Sequence, residues 1–184
     1  MENVKKIILI SGKRKSGKDH ISATLQNIVR DRSQIVRISE PIKTEWAKRL
    51  NLNLNELLSD GPYKEKYRKD MIEWSEDVRA KDYGYFCRAA MLHAHSEIII
   101  VSDIRRKTDI KYFLETYGVL VHTVRIMAKD EIRIERGWHF TKGVDDVASE
   151  CDLDDYTQWD IVLQNNYAED SGAGIKALRE KFEF

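Results

Sequence analysis

An unbroken apolar run near the start of the chain, "KIILIS" at 6–11, passes directly into "SGKRKSGKDH", Ser11 to His20. A continuous β-branched run of this length reads as a strand buried on both faces. Beyond it, Gly12, Gly17 and Lys18 stand in the spacing G-x-x-x-x-G-K, and a helical pattern then runs from Lys18 to Val29. Strand, glycine loop and helix in that order are the context in which this spacing cradles phosphate. Glycines let backbone N–H groups turn inward around phosphate oxygens, and the helix N-terminus adds its positive end. Lys18 supplies a mobile cation for the β- and γ-phosphates. Lys13, Arg14 and Lys15 add local positive charge, and Ser16 completes the loop. The bland alternative is a basic surface turn, which would leave the glycine spacing accidental.

The loop departs from the common pattern at its last position, where Asp19 replaces a hydroxyl residue. A carboxylate is a hard ligand for magnesium, directly or through water. An aspartate is also favoured at a helix start by the helix dipole. The two roles are compatible.

Four more strand-like runs lie further along the chain: "IVRIS" at 35–39, "EIIIVSD" at 97–103, "VLVHTVRIMA" at 119–128 and "WDIVLQN" at 159–165. Pro41 stands near a helix start, as proline prefers. Residues 53–95 lack strand signals, and Tyr63, Tyr67, Met71 and Trp74 fall at helical spacing. A helix is predicted from Thr108 to Tyr117 with Gly118 as its stop, and another over 174–183. Strands alternating with helices predict an α/β fold, a parallel five-stranded sheet covered on both faces. Ligands bind such sheets beyond the carboxyl ends of the strands. Lys13–Asp19, Asp103–Arg106 and Asn165–Asn166 all fall there.

With no repeat or Pro/Gly-rich linker, the 184 residues read as one domain. The 31 basic and 31 acidic side chains balance, which argues against a general nucleic-acid or membrane-surface binder. Cys87 and Cys151 are too few for a disulfide framework or a four-cysteine zinc site. They suit reduced thiols in the cytosol. The apolar runs are too short to span a bilayer, the N-terminal run is short for a signal peptide, and "KFEF" matches no targeting address.

Asp103 closes an apolar strand, where an acidic residue holds magnesium or accepts a proton; otherwise it caps a helix beginning near Ile104. Arg105 and Arg106 suit bidentate capture of phosphate or carboxylate. Arg133 and Arg136, three apart, share a helical face. That face forms part of a lid over the phosphates or is simply solvated. Lys64, Arg68, Lys69 and Arg79 lie on the middle helices, where an acceptor could bind, although each taken singly reads as a solvated charge. The acidic run "DDVASECDLDD" at 145–155 reads as a metal site or as a polar loop flanking the lid. The histidines lack metal-ligand spacing, and the four tryptophans read as packing.

Taken in order, "ISGKRKSGKD", "YKEKYRKDMIEWSE", "YFCR", "VSDIRR" and "RGWHFTKGVDDVASECDLD" give a sequence that resembles the animal-type phosphomevalonate kinases over nearly its whole length. The resemblance implies a three-layer P-loop NTPase fold like that of nucleoside monophosphate kinases. It implies transfer of the ATP γ-phosphoryl, with Mg2+, to (R)-5-phosphomevalonate in isoprenoid and sterol synthesis. It also implies that Lys13 to Asp19 bind ATP, that Arg136 reaches ATP from the lid, and that Asn165 and Asn166 lie at substrate and nucleotide respectively. With the residue reading added, the expectation is a single kinase domain over 1–184, with acceptor helices about 41–95 and a lid about 129–157. Lys18, Asp103 and Arg136 are its catalytic candidates. Gly12, Lys13, Arg14, Lys15, Ser16, Gly17, Asp19, Arg133 and Asn166 are its nucleotide-side candidates. Lys64, Arg68, Arg79, Arg105, Arg106 and Asn165 face the acceptor, and Asp19 and Asp103 the metal. A cytosolic monomer is expected, its partner a small molecule and neither nucleic acid nor membrane. The rival reading is a nucleoside monophosphate kinase, which needs a pocket for a base; a nucleotide-dependent switch needs an ordered switch segment. The Lys/Arg-rich 60–90 region suits a small dianionic acid instead.

Overall fold

The computed structural model describes residues 3–59 and 61–183. Met1, Glu2 and Phe184, the outermost residues of the two terminal segments, lie outside the described residues, as does Asp60. The chain runs β1 (Lys6–Gly12), α1 (Lys18–Val29), β2 (Ser33–Val36), α2 (Ser39–Leu50), α3 (Leu54–Leu58), α4 (Pro62–Lys81) and α5 (Tyr85–Met91). It continues β3 (Ile98–Ile104), α6 (Lys107–Tyr117), β4 (Val121–Met127), α7 (Asp130–Glu135), α8 (Ala148–Cys151), β5 (Ile161–Gln164) and α9 (Ala168–Phe182).

All strand pairings are parallel, in the order β2-β3-β1-β4-β5. The chain leaves β1 toward one edge of the sheet and returns to its other side at β4. The carboxyl end of β1 is therefore the point where strand order reverses, the place where such sheets open a crevice for ligands. Alternate residues of β1 feed two cores. Ile7 and Leu9 join Ile99, Val101, Phe86 and Phe113 on one face. Ile8 and Ile10 join Ile98, Ile100, Leu25, Leu178 and Phe182 on the other. With each of these side chains worth roughly 1.5–3 kcal/mol when buried, the sheet is the rigid floor of the molecule. A separate small core of Trp46, Ala47, Leu57 and Met71 holds α2, α3 and α4 together.

Three helix starts differ from sequence expectation or are set by distant carboxylates. Helix α2 begins at Ser39, before Pro41, because Asp103 accepts the amides of Ile38 at 2.7 Å and Ser39 at 2.9 Å. Asp103 is thus a capping residue, but for α2 and not for the segment after Ile104. Helix α6 starts at Lys107, and Asp109 takes the amides of Arg105 and Arg106 at 3.2 and 3.1 Å. Helix α9 starts six residues before the predicted 174, where Asp170 accepts the amides of Asn166 at 2.8 Å and Tyr167 at 3.1 Å. Gly172 and Gly174 obscured that turn in the sequence. Gly174 lies where helix meets sheet: a Cβ there would stand 3.2 Å from Leu163 Cδ1.

Candidate active site

The loop between β1 and α1 is built from backbone. Lys15 and Gly17 take positive φ of 61° and 94°, a conformation that costs glycine nothing and other residues of order 1 kcal/mol. A Cβ on Gly12 would meet the Ser16 hydroxyl and stand 2.8 Å from the Ile126 carbonyl, and one on Gly17 would collide with the Asn165 amide. The buried Ser16 hydroxyl has no hydrogen-bond partner among the described residues, an orphan of the kind that a phosphate oxygen satisfies. Glycine cradle, orphan donor and helix N-terminus fit a nucleotide's phosphates.

Lys18 leads from this loop into a cavity of about 570 Å³. The lysine is only 7 % exposed. Burial, then the neighbouring Arg105 guanidinium, pulls its pKa down to about 8, against the opposing pull of Asp19, Glu150 and Asp103. Among the described residues, eight basic and five acidic ones line this cavity. That excess suits an anion. Lys18, Asp19, Lys64, Arg68, Arg79, Asp103, Arg105 and Arg106, all singled out from sequence, meet here.

They are not equivalent. Arg79 is ion-paired with Asp109, which is fully buried, so that guanidinium is already committed beneath the cavity. Arg68 is held by Glu65 at 2.5 Å. Arg105 pairs with Glu150. Arg106, 6 % exposed, pairs with Glu76 through one terminal nitrogen, while its Nε and other terminal nitrogen find no partner among the described residues. Those two buried donors are the best-prepared anion contacts in the wall. Asp19 is exposed in the first turn of α1. Asp103 keeps further lone pairs beyond the two amides it accepts. No cluster of three metal-ligating side chains occurs among the described residues. Two carboxylates beside a phosphate cradle fit magnesium, which binds few protein ligands and keeps phosphate oxygens and water.

The segment 129–157 lies over the loop. Arg136 reaches the carbonyls of Lys15 at 3.4 Å, Ser16 at 3.3 Å and Asn166 at 3.5 Å. Arg133 is buried against the Trp138 ring and held by Asp130 at 2.7 Å; its Nε donates to the Arg14 carbonyl at 2.9 Å. Arg133 fastens the segment to the loop and is spent in doing so. The acidic run is a polar loop around α8 whose carboxylates hold the β1–α1 loop: Asp145 pairs with Arg14 at 3.0 Å and Asp154 with Lys13 at 2.7 Å. Asn165 donates to the Ser16 carbonyl at 2.8 Å, against the loop, and is not among the residues that line the 570 Å³ cavity. Asn166 accepts the Lys129 amide at 2.8 Å. The cavity also draws in Arg37, Lys43 and Glu150, none of which was picked out as a site residue. Arg37 directly follows the end of β2, so the strand-end rule that found Asp103 could have found it.

A phosphate cradle at the reversal point of a parallel sheet, opening through one lysine into a second anion cavity, defines a kinase of the P-loop class. Solved structures agree on the fold: shikimate kinase from Aquifex aeolicus aligns with TM-score 0.57 at 15% identity, covering 96% of both chains. Shikimate kinase from Bacteroides thetaiotaomicron gives 0.54 at 12%, covering 97% of this chain and 99% of that one. The family model described as phosphomevalonate kinase matches residues 10–119. A phosphomevalonate kinase of Drosophila melanogaster is 61% identical over 167 residues, 88% of each chain. The chain belongs to the phosphomevalonate kinase family.

Proposed function

We propose that the protein transfers the γ-phosphoryl of ATP to (R)-5-phosphomevalonate, giving 5-diphosphomevalonate and ADP. The observation that carries the choice of acceptor is the wall of the 570 Å³ cavity. Basic groups are joined there by aliphatic Ile38, Ile42, Leu58, Met71 and Ile72, and no aromatic side chain lines it among the described residues. The aromatics of the region are spent on one another, Trp46 on Trp74 at 5.4 Å and Trp74 on Phe86 at 5.6 Å. A nucleobase acceptor is best held by a flat aromatic ring on which it stacks. A branched aliphatic acid with a phosphate calls for cations around an aliphatic floor.

Arg106 and Arg105 hold the acceptor's phosphate, Lys64 and Arg68 its far end. The loop amides from Lys13 to Lys18 hold the nucleotide. Lys18, common to loop and cavity, lies beside the phosphoryl group that passes from nucleotide to acceptor, and stabilises charge as it redistributes. Arg136 covers the loop from above. Asp19 and Asp103 would hold magnesium, which when bound would offset the nucleotide's phosphate charge. The acceptor phosphate is already ionised, so no side chain need remove a proton.

The test is ATP turnover with 5-phosphomevalonate, with CMP, with UMP and with no acceptor. Turnover at least about a hundredfold faster with 5-phosphomevalonate is expected, since the wrong acceptor leaves buried charges unpaired. Preference for either nucleotide would move the protein to nucleoside monophosphate phosphorylation.

A further inference from the structure

Glu150 is an acid buried among the cations of the site. It lies in α8, is 9 % exposed, and belongs to the acidic run whose purpose the motifs left open. One carboxylate oxygen accepts from the Arg105 guanidinium. The same guanidinium nitrogen reaches the Ser149 carbonyl at 3.3 Å. The other carboxylate oxygen accepts the backbone amide of Arg14, in the nucleotide loop, at 3.3 Å. Glu150 lines the acceptor cavity, and it also lines a second cavity beneath the 138–157 segment that reaches Lys13 and Ser16 of the loop.

A buried carboxylate costs heavily unless its partners are well placed. The partners here are an acceptor-side cation and a nucleotide-side amide. Asp145 and Asp154 hold the loop's other cations, Arg14 at 3.0 Å, Lys13 at 2.7 Å and, for Asp154, also Arg125 at 3.2 Å. Neither of them lines the acceptor cavity. Glu150 alone in that run touches both sides.

We infer that Glu150 is a positioning residue for phosphoryl transfer: it aims Arg105 at the acceptor's phosphate and ties that aim to the nucleotide loop through Arg14. An arginine held in place loses less rotamer freedom when the anion arrives. The inference rests on the proposed acceptor and concerns how the two sites are held in register. Glu150→Gln keeps the length but removes the charge, and its amide nitrogen must face a donor, either Arg105 or the Arg14 amide.

Calorimetric titration of 5-phosphomevalonate, without nucleotide, provides the test. The Kd of Glu150→Gln should rise about tenfold, the size expected for a charge-assisted hydrogen bond turned neutral. On an Arg105→Ala background the same change should alter Kd less than about twofold, because Glu150 acts through Arg105. Glu150→Asp, which keeps the charge on a shorter arm, should recover part of the affinity. Losses that multiply in the double variant would overturn the inference. So would a Glu150→Gln protein that loses thermal stability alone while Kd stays unchanged. If the unaltered protein ignores 5-phosphomevalonate, the acceptor reading fails, and the same cycle run with inorganic phosphate still decides the role of Glu150.

Discussion

The nucleotide loop and the acceptor cavity share Lys18 but are built in different ways. The loop is backbone, shaped by Gly12 and Gly17 at places where a Cβ has no room. The cavity is side chain, its cations drawn from the ends of β2 and β3, the starts of α1 and α2, and the length of α4. A backbone site is written in consecutive residues and tolerates almost no change at its glycines. A side-chain site is assembled from afar, and four of its arginines are each steadied by a carboxylate: Glu65 for Arg68, Glu76 for Arg106, Asp109 for Arg79 and Glu150 for Arg105. Damage to the loop should therefore be abrupt, and damage to the cavity graded.

The largest effect belongs to the group common to both. Lys18→Met should lower kcat at least about a hundredfold, on the scale of one preorganised electrostatic contact, in a protein that circular dichroism shows to be folded. Full activity in that variant would dissolve the comparison by removing the loop from catalysis. Gly17→Ala comes next. The new methyl group enters the space of the Asn165 amide at a φ of 94°, so KM for ATP should rise about tenfold or more while acceptor Kd stays within about twofold. Equal losses on both sides would mean that loop and cavity are one unit.

Arg106→Gln tests the cavity in the same way. It removes a charge with two buried donors that have no partner among the described residues, and KM for the acceptor should rise about tenfold with KM for ATP nearly unchanged. A shift confined to ATP would place Arg106 on the nucleotide side. Asp19→Asn should have the smallest effect, raising the magnesium needed for half-maximal rate by about threefold, with Asp19→Ser partly active. A magnesium titration at fixed ATP that left the requirement untouched, beside a lowered melting temperature, would leave Asp19 only its helix-start role.

The same contrast explains what could be read in the sequence. The existence of five strands and α1 was legible because apolar periodicity and glycine spacing are local, but β2 lies at Ser33–Val36 and not at 35–39, since Ser39 already belongs to α2, which Asp103 starts. The cavity's basic residues on α4 were legible as a group, through helical spacing and charge, but their partners were not. Asp109 holds Arg79 across 30 residues, and Asp103 starts α2 across 65. Nothing local distinguishes such carboxylates from solvated ones. Glu150 was hidden for the same reason, inside a run whose acidity suggested a metal site or a polar loop flanking the lid. Asn165 followed a strand end correctly, yet its amide turned back to the loop at Ser16 instead of outward to the acceptor, a choice of rotamer that no spacing reveals.

In the proposed reaction a phosphate already on the acceptor receives a second one. Phosphorus-31 NMR of the mixture of protein, magnesium, ATP and (R)-5-phosphomevalonate tests it directly. The acceptor's monophosphate resonance should give way to two coupled diphosphate resonances, one equivalent for each ADP formed. Inorganic phosphate accumulating with ADP, while the monophosphate resonance persists, would contradict it and leave only nucleotide hydrolysis.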